Sequence, residues 1–266
     1  ERALQRYHHQ LPAQAAALLC LIHTGRRILS VLERGICIMR KGIRFQELLP
    51  FVLYFIVYLF WFQWLEERHV RSYQIIHVFM DDYIPFCELF VIPYFLWFLY
   101  VPAAVLYAAS HSREEYIRCA LFLCTGMTVF LLISTFFPNI QHLRPLKMPR
   151  DNVFTHLVLL LQKVDTPTNL WPSIHVYNSI GAHLAISRCL SVRNTEQGAS
   201  FRKWLRAGSF LLCVSIILAT MFLKQHSVFD VITAFILAGA MYGVLYRNDR
   251  ITLQRQRRSS RRRVRA

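Results

Sequence analysis

The sequence of 266 residues has few charges for its length, since only 17% of it is Asp, Glu, Lys or Arg. A soluble domain typically has about 25% charged and 45–50% apolar residues, whereas this chain is 55% apolar. Acidic residues are especially scarce, with 15 against 31 basic ones. The composition therefore disfavours a soluble enzyme or a disordered tail protein, and the low glycine and proline content excludes low-complexity repeats.

Recognisable cofactor and metal motifs are also absent from the sequence. The seven cysteines are irregularly spaced without a C-x-x-C pair of the zinc type, and we interpret them as small hydrophobes rather than a disulfide framework. There is no glycine-rich phosphate loop, no serine nucleophile elbow and no acidic cluster with metal-ligand spacing. We therefore expect neither a metal nor a cofactor.

Long apolar runs are what the sequence does have. Because lipid offers the backbone no hydrogen bonds, such runs must form helices, and about 20 residues are needed to cross the bilayer. We predict an all-α polytopic membrane protein, with a six-helix transmembrane bundle over residues 47–246. The predicted spans are Leu48–Trp64, Ile84–Ala109, Tyr116–Phe137, Ser173–Leu190, Leu205–Leu223 and His226–Tyr246.

Basic residues flank this bundle in an N-terminal segment, 1–46, and in a tail, 247–266. Six spans place both flanks on one side of the membrane, and that side receives 24 of the 31 Lys and Arg residues. The positive-inside rule makes it the cytoplasmic side. We predict an interfacial helix in the first segment. For the tail we predict attraction to anionic lipid headgroups rather than nucleic-acid binding.

Three polar groups that are far apart in sequence fall on the opposite, outer face. The first is the helix start Pro172-Ser173-Ile174-His175. Proline is favourable in a first helical turn, and the free N–H groups and positive dipole end of a helix attract anions. Ser173 adds a hydroxyl donor, and His175 lies slightly further into the helix. This segment therefore predicts an anion site with a titratable group beside it.

The second group is Lys224-Gln225-His226, followed by Asp230. His226 and Asp230 share one helix face at i and i+4. A carboxylate there can fix the imidazole tautomer and activate the other ring nitrogen as a nucleophile or base. The third group contains Arg144, whose guanidinium can hold two phosphate oxygens.

Each group alone also has a structural interpretation, such as helix pairing for the aspartate or headgroup contact for the arginine. Two histidine-containing helix starts and an arginine loop on one face together favour phosphate chemistry. We interpret two further features as structural. The pair Asp81-Asp82 marks the start of the second span, and Asn152–Val164 forms a helix on the outer membrane surface. Its predicted apolar face consists of Val153, Leu157, Leu160, Leu161 and Val164.

These elements resemble those of a known family. The P-S-x-H sequence at 172–175 and the K-Q-H-x-x-x-D sequence at 224–230 are similar to the second and third motifs of the type 2 phosphatidic acid phosphatase superfamily. Arg144-Pro145 resembles the end of its first motif. The resemblance covers about residues 48–246, and the stretch from Asp82 to Trp97 is similar to bacterial membrane members.

The resemblance implies a lipid phosphatase that works without a metal through a phosphohistidine. We expect it in a bacterial plasma membrane, with its active site on the outer face that the positive-inside rule predicts. The resemblance implies that His226 is the nucleophile and that His175 is the general acid. It also implies that Asp230 orients the ring of His226 and stabilises its cationic form. The implied partners are a lipid phosphate substrate and membrane lipids. The implied phosphate-binding residues are Arg144, Ser173 and Lys224.

Two cations of the family pattern are missing. Phe137 occupies the position of the first-motif lysine, and Thr220 occupies the position of the third-motif arginine. Lys224, Lys147 or Arg150 is available to replace them. Such variants also resemble inositol-phosphoceramide and sphingomyelin synthases, so a lipid phosphotransferase stays open, as does a non-catalytic lipid-binding or transport protein. The natural lipid and the oligomeric state have no signal in the sequence. For catalysis we expect the ring nitrogens of the two histidines to converge to roughly 5–7 Å.

Overall fold

The computed structural model describes residues 45–192 and 198–264. The helix predicted for the N-terminal segment lies outside these residues. Within them, a single short parallel pairing joins the strand Gln74–Ile75 to the strand Asn139–Ile140, with Gln74 opposite Asn139. The elements are α1 Phe45–Glu67, β1 Gln74–Ile75, α2 Met80–Tyr83, a 3-10 turn Glu88–Phe90, α3 Val91–His111, α4 Arg113–Phe136, β2 Asn139–Ile140, α5 Val153–Val164, α6 Ile174–Val192, α7 Ala199–Phe222 and α8 Val228–Val264.

The helical architecture agrees with the prediction, but the structure does not confirm the predicted count of six spans. Within the described residues, five helices are long and apolar enough to cross a membrane, which indicates a membrane protein. The fourth predicted span, which is α6, is not among them. The five candidates are Gln46–Glu67, Glu88–His111, Arg113–Phe136, Ala199–Phe222 and Val228–Tyr246.

Helix α6 is less apolar because it is the central helix of the bundle. It packs against α3, α4, α7 and α8, and no residue from 171 to 190 is exposed. A helix enclosed by other helices needs no lipid-compatible surface, so it can carry polar residues at little cost. The outlying helix α1 shows the opposite pattern, because more than half of its side chains are exposed and most of the exposed ones are apolar, as at Val57 and Phe60.

Hydrogen bonds between loops hold one end of the bundle together. The guanidinium of Arg68, just after α1, donates to the backbone carbonyls of Ser134 and Thr135 at the end of α4. The side-chain oxygen of Asn139 accepts hydrogen bonds from the N–H groups of Leu170 (2.7 Å) and Trp171 (3.2 Å). This end is where α6 and α8 begin, and it therefore positions the predicted site.

The short helix α5 forms where the amphipathic pattern predicts it. Asn152 starts it with a reciprocal capping box to Thr155, which satisfies N–H groups that a helix start leaves free. The inward face differs from the predicted one, because Val158 and Leu161 are buried while Leu160 is exposed. Instead of only covering a membrane surface, α5 packs on residues of α3 and on the end of α7, namely Val91, Tyr94, Ala219 and Leu223.

The interpretation of Asp81-Asp82 as the start of the second span is wrong. The pair lies in the separate four-residue helix α2, and the long helix α3 begins only at Val91. Asp82 is exposed and contacts His77 at 2.9 Å, whereas Asp81 is buried. Because a buried carboxylate requires hydrogen-bond donors, Asp81 has a structural role that a span boundary does not explain.

Candidate active site

The two predicted catalytic histidines meet at the helix starts. His175 is the second residue of α6 and His226 lies two residues before α8, and both side chains are buried. Nδ1 of His175 lies 3.3 Å from Nε2 of His226, although the residues are 51 positions apart. The rings converge as expected, but the distance is shorter than the predicted 5–7 Å and is that of a hydrogen bond between the two rings.

Asp230 lies behind the second histidine. Its Oδ2 is 3.4 Å from Nδ1 of His226 and also accepts the backbone N–H of Ser227 at 3.0 Å. A carboxylate at this position favours the tautomer with the proton on Nδ1, which leaves the lone pair of Nε2 towards His175. The N–H of Ser173 donates to the backbone carbonyl of Asp230 at 3.4 Å, and this bond joins the two helix starts directly.

Two aromatic rings of α3 hold His175 in place. The ring centroid of Trp97 lies 4.3 Å from that of His175, and the centroid of Tyr94 lies at 4.6 Å. The Tyr94 hydroxyl donates to Oδ2 of Asp165 at 3.1 Å. Trp97 contributes a buried indole N–H that has no hydrogen-bond partner among the described residues, which leaves one donor free beside the histidine pair.

Arg144 is fixed by three oxygens of neighbouring loops. Its guanidinium donates to the carbonyls of Asp165 (2.7 Å) and Thr166 (3.2 Å) and to Oε1 of Gln225 (2.6 Å). The buried Nε has no partner among the described residues. Burial lowers the pKa of Arg144 while the charge of Asp165 raises it, yet a guanidinium stays charged in proteins. Arg144 is therefore a preoriented cation that is hydrogen-bonded to Gln225, the residue before His226.

The loop of Arg144 and the loop of His226 are connected by two glutamines for which the sequence predicted no role. The amide of Gln141 donates to the carbonyls of Lys224 (2.9 Å) and Gln225 (2.6 Å). Gln225 in turn accepts from Arg144. Lys224 has a positive φ of 56°, a conformation that is uncommon for a residue with a side chain. These contacts hold that turn and thereby fix His226.

The other two predicted phosphate binders are used differently. Ser173 is fully buried, and its hydroxyl oxygen accepts the N–H of Val176 at 3.4 Å, which caps α6. The ammonium of Lys224 donates to the backbone carbonyl of Asp81 at 2.6 Å, its only hydrogen bond within the part of the chain described. Burial lowers the pKa of Lys224, and the charges of Asp81 and Asp82 act in the opposite direction.

Asp81 is the main site-supporting residue that sequence reasoning misplaced. Its carboxylate accepts the hydroxyl of Ser227 (2.6 Å) and the N–H groups of Val228 (2.8 Å) and Val78 (2.9 Å). It thereby caps α8 from a distant segment. The one signal in the sequence was an acidic pair in a loop on the predicted outer face.

The candidates for replacing the missing family cations lie elsewhere. Arg150 pairs with Glu88 at 2.8 Å, which raises the pKa of Arg150, and Lys147 is exposed. Thr220 is buried and donates its hydroxyl to the carbonyl of Ile217. Within the described ranges no group of three or more His, Cys, Asp or Glu side chains is arranged to hold a metal ion.

A comparison with known families agrees with this geometry. A family model described as the PAP2 superfamily matches residues 119–251, a range that contains Arg144, His175, His226 and Asp230. Asp81, in contrast, precedes the matched range. No curated protein and no solved structure matches the chain.

Proposed function

Because the chain belongs to the PAP2 superfamily, we propose that it is a membrane lipid phosphatase in which His226 accepts the phosphoryl group. Members of this superfamily are generally phosphatases or phosphotransferases acting on phosphate esters. The observation that carries the proposal is the 3.3 Å approach of His175 to His226, with Asp230 behind the second ring.

The first step transfers the phosphoryl group to the protein. Nε2 of His226 attacks phosphorus, the bond from phosphorus to the lipid oxygen breaks, and His175 donates its Nδ1 proton to that oxygen. Asp230 stabilises the positive charge that develops on the His226 ring. Such proton donation is typically worth about 10²–10⁴-fold in rate.

Charge on the phosphoryl oxygens increases in this step, so fixed donors around them contribute most of the stabilisation. Arg144 supports this role, because three oxygens hold its guanidinium while its Nε has no partner among the described residues. The indole N–H of Trp97 is a second free donor. Ser173 and Lys224 belong to the same phosphate-binding set in this proposal, with Lys224 exchanging Asp81 for phosphate.

The second step releases phosphate. A water molecule gives its proton to His175 and attacks phosphorus, the bond from phosphorus to Nε2 of His226 breaks, and inorganic phosphate leaves. Near-attack distances of about 3–3.5 Å on each side of phosphorus do not fit between nitrogens 3.3 Å apart. Substrate binding therefore separates the two rings, and a vanadate complex should show these nitrogens roughly 5–7 Å apart.

The membrane setting decides what reaches the site. The proposed substrate is a lipid phosphate whose headgroup enters from the outer leaflet of a bacterial plasma membrane. The distribution of Lys and Arg along the chain supports this orientation, and the apolar helices around α6 support access from lipid.

The decisive experiment is a phosphate-release assay with the purified protein in detergent, using phosphatidate, phosphatidylglycerophosphate and a polyprenyl diphosphate. We expect His226→Ala to abolish release and to lose an acid-labile phosphohistidine that wild-type protein forms with ³²P-labelled substrate. His156→Ala is the matched control, since His156 is exposed and pairs with Asp151 at the surface. Full activity of His226→Ala would end the proposal, as would full loss of wild-type activity in EDTA.

A lipid phosphotransferase is the second candidate, because Phe137 and Thr220 occupy the positions of two family cations. In that case a lipid alcohol replaces water in the second step. Product analysis separates the two reactions, since a phosphatase releases inorganic phosphate and a transferase makes a new phospholipid. A protein that only binds or moves lipid gives neither product, and vanadate leaves its lipid movement unchanged.

A further inference from the structure

The carboxylate of Asp165, at the end of α5, forms no salt bridge with any described residue. Its Oδ2 accepts one hydrogen bond, from the Tyr94 hydroxyl at 3.1 Å, and its Oδ1 accepts none from the described residues. Arg144 donates to the backbone carbonyl of Asp165 and not to the carboxylate. Among the described residues, no Lys or Arg nitrogen lies within salt-bridge distance of this group. A half-buried carboxylate in this condition is uncommon, because burying a charge is unfavourable unless a partner compensates it.

This unpaired acid lies beside the histidine pair. The Tyr94 residue that binds it also places its ring 4.6 Å from the ring of His175. The charge of Asp165 interacts electrostatically with both Arg144 and His226. Contacts on both sides link Asp165 to the histidine pair, because Tyr94 packs on His175 and Arg144 bonds both the Asp165 carbonyl and Gln225, the residue before His226.

The charges around the site do not favour a bare phosphate group. In this structure, Arg144 is the single cation among the described residues whose side chain is hydrogen-bonded to the loop of His226. The other cation of that loop, Lys224, donates to the Asp81 carbonyl instead. The family cations at Phe137 and Thr220 are absent. A carboxylate next to that single cation repels the phosphate dianion. A substrate that brings its own donor removes both problems, because it pairs with the free carboxylate oxygen and offsets the repulsion.

We propose that Asp165 binds a hydroxyl or ammonium group that the substrate carries next to its phosphate, so that the site selects lipid phosphates bearing such a donor. The assignment rests on the proposed function for the identity of the substrate as a lipid phosphate. Tyr94 is the positioning residue that holds Oδ2 and leaves Oδ1 for the substrate.

Two matched pairs of substrates test this selectivity. The hydroxyl pair is 1-acylglycerol 3-phosphate and its 2-deoxy analogue, and the ammonium pair is sphinganine 1-phosphate and its N-acetyl derivative. For the wild type we expect the donor-bearing member of at least one pair to have a kcat/KM about tenfold to a hundredfold higher. The pair that shows the effect identifies the donor. Equal kcat/KM values within both pairs overturn the proposal.

Substitution of the carboxylate supplies the second measurement. Asp165→Asn keeps the shape and the Tyr94 contact but removes the charge, and we expect the preference to fall to within about threefold, mainly through a higher KM for the donor-bearing substrate. The readout is the ratio of the two kcat/KM values within each substrate pair, which a merely structural role of Asp165 would leave unchanged. Asp151→Asn is the control, since Asp151 is exposed and pairs with His156 at the surface. An unchanged preference in Asp165→Asn overturns the assignment.

Binding to the His226→Ala protein separates this inference from the proposed function. Its affinity for the four lipids is measured without turnover, with and without Asp165→Asn. If the wild-type protein hydrolyses none of the lipids, and the Asp165-dependent binding preference is nevertheless observed, the proposed function fails and the Asp165 site stands. If hydrolysis occurs and the binding preference is absent or independent of Asp165, the proposed function stands and this inference fails.

Discussion

The carboxylate of Asp81 accepts a 2.6 Å hydrogen bond from the hydroxyl of Ser227, a residue 146 positions further along the chain. The same carboxylate accepts the N–H of Val228 at the start of α8. Since His226 directly precedes Ser227, the short helix α2, which carries Asp81, helps to determine where the proposed nucleophile lies. Asp81 is thus a positioning residue for His226, and it acts without touching the reacting atoms.

We predict that Asp81→Asn lowers kcat roughly tenfold or more while changing KM little. The asparagine cannot accept both the hydroxyl and the N–H group as the carboxylate does, and losing a helix cap costs about 1 kcal/mol of stability. Kinetics of phosphate release and thermal unfolding in detergent measure both effects. Asp82→Asn is the control, because Asp82 is exposed and pairs with His77. A kcat as high as that of the control would contradict the positioning role.

Removing the proposed general acid should affect substrates according to their leaving group. His175→Ala is expected to slow hydrolysis of an alkyl lipid phosphate about 10²–10⁴-fold. A p-nitrophenyl phosphate ester needs little protonation of its leaving oxygen, so it should be slowed far less, whereas His226→Ala abolishes both reactions. Comparing kcat for the two ester types checks this. Equal slowing of both by His175→Ala would assign the residue a role other than proton donation.

Asp165 should make stability depend on pH in a defined direction. Burial raises the pKa of this carboxyl, although Arg144, His226 and the Tyr94 hydroxyl act in the opposite direction. Between the ordinary aspartate pKa of about 3.9 and the raised value, the folded protein retains a proton that the unfolded chain has released. The free energy of unfolding therefore falls as pH rises through this window.

Asp165→Asn removes that loss of stability. We expect its melting temperature to equal or exceed that of the wild type at pH 7, and the difference to shrink as the pH is lowered towards about 4. Thermal unfolding followed by tryptophan fluorescence in detergent across this range tests the sign. A variant that is clearly less stable at pH 7 but not at pH 4 would show that the ionised carboxylate stabilises the fold.

Close packing of α4 against α6 predicts a strong effect at Gly126. A Cβ at this position would lie 2.0 Å from Cε1 of Tyr177, whose ring also stacks on Phe122. Gly126→Ala should therefore destabilise the protein by about 1–3 kcal/mol and disturb the helix turn that carries His175. Gly239→Ala is the matched control, since a Cβ there meets nothing within 4 Å. Similar melting temperatures for the two variants would refute the contact.

The sequence was sufficient for the elements whose cause is local. Apolar runs near 20 residues long indicate spanning helices because lipid leaves the backbone no other partner, and five helices of the described part of the chain are long and apolar enough to span. The amphipathic pattern and Asn152 predict α5 for the same kind of reason. The approach of His175 to His226 was predictable because each belongs to a recognisable motif at a helix start.

Only the tertiary structure decided the features that depend on distant segments. The sequence predicts α6 as a span, but only the packing shows that its neighbours and not lipid surround it, and it is not among the described helices that are apolar enough to count as candidate spans. Asp81 caps a helix 146 positions away, and Lys224 turns from the site to the Asp81 carbonyl. The unpaired charge of Asp165 became visible only once Arg144 and Tyr94 were placed. Burial and hydrogen-bond partners are properties of packing, and no local pattern in the chain encodes them.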